Sequence, residues 1–305
     1  PVPAGHDRFP RTLVDEVLSP TWRKWLDDLE QTEELHMTKI ALKTCRYVNG
    51  VALKHGEVTR GMFPDVKISS ITNGVHVPTW VAAEVDDLYR AYVDSEWITH
   101  HDDPELWKRV DQIPNAALWE THLMLKRQLL CFLRTRARHR WTEDRVAPVQ
   151  VVAAGALLEV DPLTIGFARR FATYKRATLL LRDRTRLKAI LTAAGKPVQL
   201  IFAGKAHPAD EPGKQLLQAV YQAATEPEFA GHIAVVEDYD MHVARHLVQG
   251  VDIWLNAFAP RNGQEFHRIL RPDGRLLVVT PGRRHLSELV ATLGLQGTAR
   301  HFAAN

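Results

Sequence analysis

Cysteine is nearly absent from this chain: Cys45 and Cys131 are the only two in 305 residues. Both fall in helix-like segments, far apart, with no metal-ligand spacing. That excludes a disulfide framework and a cysteine-based metal site, and it suits reduced thiols in a cytoplasmic protein. Long apolar runs are absent too. None approaches the roughly 20 residues of a membrane helix, so no membrane partner is expected. The sequence opens on Pro1 with no initiator methionine and shows no secretory signal pattern, so no leader is expected. Charge of one sign is also scarce. A formal net charge of +3 is too small to argue for nucleic acid, although fifteen histidines add positive charge below neutral pH.

What remains is an ordinary globular composition, 45% hydrophobic and 25% charged. The length suffices for one large core or two ordinary ones. Residues 11–60 carry helical periodicity, with Leu35, Thr38 and Leu42 on one face and Ile40 to Val48 reading as a buried helix. Val66 to Ile71 reads as a strand closed by the turn-forming Asn73-Gly74 pair. Pro78 and Trp80 mark a loop. Residues 84–140 are helical again, and Pro114-Asn115 opens an amphipathic run from Ala116 to about Arg138 whose arginine-rich end suits a helix C-terminus.

From residue 150 the pattern changes. Val149 to Ala153, Leu163 to Phe167, Pro197 to Ala203 and His232 to Val236 read as short apolar strands separated by helical segments. His246 to Gln249 and then Val251 to Leu255 close this part. Alternation of this kind predicts an α/β fold with a right-handed, parallel, doubly wound sheet.

The most informative stretch lies at the end of the Leu163 strand. Arg169, Arg170, Lys175 and Arg176 place four cations within eight residues. A leucine-rich segment of helical character follows. Open α/β sheets bind ligands at the carboxyl ends of their strands, and a helix N-terminus there favours an anion. Arginine supplies a planar fork and lysine a point charge, a set suited to phosphate. Spacing alone is equally compatible with a solvated basic turn. The Val198 to Ala203 strand repeats the layout with Gly204-Lys205, so two strand ends offer cations to one crevice.

The basic pair, spacer and Tyr174-Lys175-Arg176 resemble the phosphate-binding segment of the α-glucan (glycogen, starch, maltodextrin) phosphorylases. Further blocks agree in order. They are Pro1 to Phe9 (with Gly5-His6-Asp7-Arg8), His36 to Lys39, Asn49-Gly50 through His55-Gly56-Glu57-Val58, and Ile71-Thr72-Asn73-Gly74-Val75-His76 to Trp80. Ile201 to Pro208 (with Gly204-Lys205-Ala206-His207) and Glu237-Asp238-Tyr239-Asp240 follow. The similarity runs from residue 1 to about residue 257 and is closest to the shorter bacterial members.

The resemblance implies phosphorolysis of α-1,4-glucan by inorganic phosphate, giving glucose 1-phosphate with retained configuration. It also implies a two-domain glycosyltransferase fold of the GT-B kind, only partly spanned here. Residues 1–82 would be the end of the N-terminal half plus the crossover, 83–257 the first part of the Rossmann-like C-terminal half, and 258–305 a divergent tail. Read this way, the chain is an internal fragment, and apolar surface left uncovered would make it self-associate or take a partner fragment.

Matched residue by residue, Arg170 and Lys175 would be catalytic, as the substrate-phosphate ligand and a lysine beside both phosphates. Arg169 stands where a lysine is often found and, with Lys205 and Asn73, would bind substrate, Asn73 through a sugar hydroxyl. Asn73 is equally well read as a turn residue, and Arg176 as structural. Tyr239, with Lys175, would contact the pyridoxal phosphate cofactor, although a core tyrosine reads the same way. Asp240 replaces an arginine of the longer members and carries no role. His76 and His207 read as loop and turn residues. His55 and Glu57 lack a third ligand at a useful spacing, so no metal is expected.

After Ala257 the family pattern stops. Its next block supplies an acidic residue, the amides that hold the cofactor phosphate, and the Schiff-base lysine. Here the chain continues Phe258-Ala259-Pro260-Arg261, and no lysine follows Lys214, so the cofactor lysine is expected to be missing and the chain inactive alone. Residues 264–295, with Arg271-Pro272-Asp273-Gly274 and Pro281-Gly282-Arg283-Arg284-His285, resemble a late segment of class I S-adenosylmethionine-dependent methyltransferases, the ribosomal-RNA guanine enzymes in particular. The early glycine-rich loop of that family is missing. Two alternatives to an active phosphorylase stay open: a non-catalytic phosphate- or carbohydrate-binding remnant, and a methyltransferase-related nucleic-acid protein.

Overall fold

A computed structural model of the chain describes residues 6–29, 32–143, 145–257 and 278–279. They fall in two compact units divided between His76 and Val77. In the first unit, strand β1 (Arg8–Pro10) leads into helices α1 (Arg11–Val17) and α2 (Pro20–Leu29). Strand β2 (Glu34–His36) returns antiparallel to β1, with Phe9 opposite Leu35, and helix α3 (Met37–Thr44) follows. Val14, Leu26, Leu35 and Ile40 form the small core beneath these elements.

Strand β3 (Val48–Gly50), helix α4 (Leu53–Met62) and strand β4 (Ile68–Ser70) then build one βαβ unit, with β3 and β4 parallel and Val48 opposite Ile68. Helix α4 approaches so closely that a Cβ on Gly50 would sit 2.5 Å from the Gly56 amide nitrogen. The expected buried helix from Ile40 to Val48 is therefore corrected. It ends at Thr44, buries only Ile40, and gives way to β3, because β-branched Val48 and small Gly50 fit a strand lying under a helix.

The second unit begins with helix α5 (Val77–Trp80), where a loop was expected, and α6 (Ala83–Tyr92). Trp97 is buried in a satellite core with Leu88, Leu106 and Ile113, and its indole N–H donates to Asp86 Oδ1 at 2.7 Å. The long helix α7 (Asn115–Glu143) contains the expected amphipathic run. Helix α8 (Pro148–Ala153) replaces the strand expected at Val149 to Ala153. Proline at its first position and the Gln150 side chain, which accepts from the Ala147 N–H at 2.9 Å, are helix-start features that outweigh the valine pair.

The sheet follows: β5 (Leu163–Ala168), helix α9 (Arg184–Leu191), β6 (Val198–Ala203), helix α10 (Glu211–Thr225), β7 (Ile233–Val236), helix α11 (Met241–Gly250) and β8 (Ile253–Trp254). All pairs are parallel and the spatial order is β7-β6-β5-β8. Strand pleating sends Leu200, Phe202, Ile233 and Val235 to one face, where Leu187 and Leu191 of α9 and Val220 of α10 cover them. Ile201, Ala203, Ala234 and Val236 point to the other, against Leu129 and Leu133 of α7 and Leu247 of α11. Burial on both faces explains why these strands read as continuous apolar runs. A last short strand, β9 (Asn256–Ala257), pairs in parallel with β10 (Val278–Val279). The rest of the methyltransferase-like tail lies outside the described residues. Among those described, no helix is long and apolar enough to cross a membrane, and Cys45 and Cys131 are free and exposed.

One polar network pins the amino ends of β5 and β8. Lys126, 3% exposed, donates from Nζ to Asp252 Oδ2 at 2.7 Å and to the Pro162 carbonyl at 2.8 Å. Asp252 also accepts from the Thr164 N–H at 2.7 Å and pairs through Oδ1 with His122 Nε2 at 2.6 Å. Burial alone would raise the Asp252 carboxyl, but hydrogen bonds from His122, Lys126 and the Thr164 amide hold it below the usual carboxylate range. A carboxylate depressed on folding stabilises the fold above its unfolded pKa, and that contribution is lost as pH falls through the folded value. Acid unfolding should thus begin below about pH 4 for this group. Asp252→Asn should cost about 3–5 kcal/mol in urea melts at neutral pH by leaving Lys126 buried without its counter-charge, whereas Asp252→Asn with Lys126→Met should recover much of the loss.

Candidate functional site

The strand order creates the site. From β5 the chain steps outward to β6 and β7, then returns to place β8 on the other side of β5. That reversal is a topological switch point, where crossovers on either side diverge and leave a crevice at the carboxyl ends of the strands. The basic turn issues from the carboxyl end of β5, at that point.

Backbone contacts carry the pairing beyond the strands. The Arg169 N–H donates to the Ala203 carbonyl at 3.2 Å and the Phe171 N–H to the Lys205 carbonyl at 3.0 Å, and Phe171 and Ala206 form a further parallel bridge. Fully buried Phe171 anchors the turn in the core. Gly204, at φ 144°, makes the close approach possible, because a Cβ there would lie 2.1 Å from the Arg169 carbonyl oxygen. Arg169, Arg170 and Lys205 are thereby presented from two adjoining backbones. Thr173–Lys175 then forms a single 3-10 turn, Arg176 takes the left-handed conformation (φ 53°, ψ 44°), and a second 3-10 segment covers Ala177–Arg182.

The helix expected to begin at this turn is thus corrected. The first α-helix after it, α9, starts at Arg184, where Asp183 already accepts from the Arg186 N–H at 2.9 Å. Side chains, rather than a helix N-terminus, supply the positive potential.

Three of these cations lack a carboxylate partner among the described residues. Arg170 and Lys205 are exposed, while Arg169 and Lys175 are half-buried. Burial holds the Arg169 guanidinium below its ordinary range. Lys175 is pushed down by burial first, then by the charges of Arg169 and Arg170, and its ammonium sits 4.5 Å from the Tyr174 ring centre. Among the described residues, no carboxylate pairs with Arg170, Lys175 or Lys205. Crowded cations of this kind, at a strand end and with shifted titration, mark a candidate anion site.

Tyr239 lies past the end of β7, on the same carboxyl edge. It is half-buried against the α7–α11 core, and burial pushes its hydroxyl up. Asp240 beside it caps α11 by accepting from the Val243 N–H at 2.8 Å, a structural task. His207 is a turn residue whose Nδ1 accepts from the Ala209 N–H at 3.2 Å. Asn73 belongs to the first unit, where its N–H donates to the Val51 carbonyl at 3.1 Å. Sequence reasoning had no view of the strand-order reversal, and it gave no role to Phe171 or to Gly204, named only beside Lys205. A glycine directly after an apolar strand and before a lysine was the available signal for Gly204.

Comparison with known proteins adds an independent line. The carbohydrate phosphorylase family model matches residues 22–256. Glycogen phosphorylase of Aquifex aeolicus is 42% identical over 233 residues, 74% of this chain and 34% of that protein. Maltodextrin phosphorylase of Thermococcus litoralis is 39% identical over 274 residues, 84% of this chain and 32% of that protein. A shorter match, 62% identical over 47 residues, joins 15% of this chain to 17% of the 23S rRNA (guanine(748)-N(1))-methyltransferase of Streptomyces fradiae. The chain belongs to the carbohydrate phosphorylase family, and it spans about a third of the length of the phosphorylases it matches.

Gly204→Val tests the stitched geometry. The collision with Arg169 and the positive φ should cost on the order of 1–3 kcal/mol in thermal unfolding. The substitution should also remove any stabilisation by phosphate, because Lys205 is driven away from the basic turn.

Proposed function

We propose that this chain carries the phosphate-handling part of an α-glucan phosphorylase, a glycosyltransferase that moves a terminal glucosyl unit from α-1,4-glucan to inorganic phosphate. The observation that carries this reading is the gathering of Arg170, Lys175 and Lys205 at the carboxyl edge of the sheet, none of them paired with a carboxylate among the described residues. Phosphorolysis sets a phosphate dianion against an oxocarbenium-like centre, so the dianion has to be held still by fixed charge. Arg170, exposed and forked, is suited to grip two phosphate oxygens, and Lys175 offers a compact charge beside it. Arg169 and Lys205 extend the field along the edge of the turn. Asn73 is proposed as a ligand for a sugar hydroxyl, within a two-domain GT-B arrangement that the family implies and this chain spans only in part.

The family uses pyridoxal phosphate, which when bound supplies a second phosphate that takes part in proton transfer. The crowded cations suit two neighbouring phosphates, and Tyr239 offers an aromatic face on the same edge. No lysine follows Lys214, however. These residues fit the phosphate end of the cofactor and leave its aldehyde without the expected amine. That mismatch favours, as a second reading, a chain that binds phosphate without turning over glucan by itself.

Thermal melts with and without millimolar phosphate, alone and with pyridoxal phosphate, test both readings. Phosphate at 100 times its dissociation constant should add about 2.7 kcal/mol, and Arg170→Ala should abolish that gain while leaving the ligand-free melt unchanged. An equal phosphate response in Arg170→Ala would overturn the assignment. Glucose 1-phosphate release from a maltodextrin by the chain alone would overturn the binding-only reading.

A further inference from the structure

Helix α7 serves both ends of the sheet. In its first half, His122 and Lys126 hold Asp252 at the amino edge. From Lys126 to Arg136 the helix rises about 15 Å, about the length of five strand residues, and so reaches the carboxyl edge. There two arginines one turn apart grip the residue that follows β7. Arg136 Nη2 donates to the Glu237 carbonyl at 3.2 Å, and Arg140 Nη1 pairs with Glu237 Oε2 at 2.7 Å. The Arg136 guanidinium also lies 5.5 Å from the Phe132 ring centre, which limits its swing. An isolated ion pair on a surface contributes little. Here the backbone and the side chain of one residue are held together, which restricts how the chain can leave the strand.

The next residue shows what is restricted. Asp238 has φ 51°, in the left-handed region. Aspartate enters that region more readily than most residues, but at a cost that glycine avoids. Tyr239 follows, packed against the α7–α11 core, and Asp240 beyond it is fixed as the cap of α11. Among the described residues no hydrogen bond or ion pair engages the Tyr239 side chain. Its place therefore follows the backbone on either side, pinned on one flank by the helix cap and on the other by the two arginines.

We propose that Arg136 and Arg140 are positioning residues: they hold the turn after β7 in its left-handed form and so fix the Tyr239 ring at the carboxyl edge of the sheet. That the ring meets a flat ligand there rests on the phosphorylase reading given above, whereas the clamp itself does not.

The test uses the full chain labelled with 3-fluorotyrosine, with the Tyr239 fluorine resonance assigned through Tyr239→Phe. In Arg136→Met with Arg140→Met that resonance should move toward its urea-unfolded position while the other tyrosine resonances stay in place. Adding Asp238→Gly should return it, because glycine accepts φ 51° without strain and the turn then needs no clamp. Glu237→Gln, which removes only the ion pair, should give a smaller shift in the same direction, and it decides the matter if the double variant does not fold. Three results would overturn the proposal: an unmoved Tyr239 resonance in these variants, a shift shared by all the tyrosines, which would make the arginines general stabilisers, or no return with Asp238→Gly. Titration with pyridoxal phosphate, read on the same resonance, separates the clamp from the functional reading. A Tyr239 resonance that answers to the arginines and not to pyridoxal phosphate keeps the clamp and removes the ligand role of Tyr239.

Discussion

A parallel sheet has to be covered on both faces, and that requirement organises the second unit. It recruits α7 and α11 to one side and α9 and α10 to the other. It also forces the crossovers to part where the strand order reverses between β5 and β8. The crevice is a by-product of this coverage, and its position is fixed before any functional residue is chosen. The Lys126–Asp252–His122 network secures the opposite, amino end of the same two strands. One end of the β5–β8 joint is thus saturated with internal partners, while at the other Arg170, Lys175 and Lys205 have no carboxylate partner among the described residues.

That asymmetry matters for chemistry. At the amino end, Asp252 holds its protonation state through the donors around it, and its satisfaction is internal. At the carboxyl end, Lys175 is pressed by burial and by two arginines, and no carboxylate among the described residues relieves it. Stability alone would favour placing an acidic residue in the turn. The turn instead keeps a standing repulsion that an incoming dianion converts into attraction, which fits a site shaped for a ligand. Membership in the carbohydrate phosphorylase family is consistent with that reading, and the short methyltransferase-like match contributes nothing to it.

Much of this could be read from sequence, and the failures have physical causes. Leu163 to Phe167, Pro197 to Ala203 and His232 to Val236 were legible as strands, since doubly buried strands are apolar at every position. Val149 to Ala153 was misread because its valines look like a strand, whereas Pro148 and Gln150 start a helix at that point. Val48 was folded into a helix because its true partner, Ile68, lies far along the chain. The cations of the basic turn were visible as residues. The surroundings of Arg170 and Lys175 were not, because they depend on which side chains arrive from elsewhere in the fold. The strand-order reversal was likewise invisible, as pairing between β5 and β8 is a long-range choice.

The bridge between Phe171 and Ala206 bears on how the crevice would respond to a ligand. A ligand held by two separate loops ordinarily has to immobilise both, and the lost backbone freedom weakens binding. Here the two turns already share hydrogen bonds and a bridge that continue the sheet past its last regular pair. An anion between Arg170 and Lys205 would have only side-chain rotamers left to order. The two turns are tied to each other through the backbone, so the backbone frame of the proposed anion site would be set when the protein folds rather than when an anion arrives.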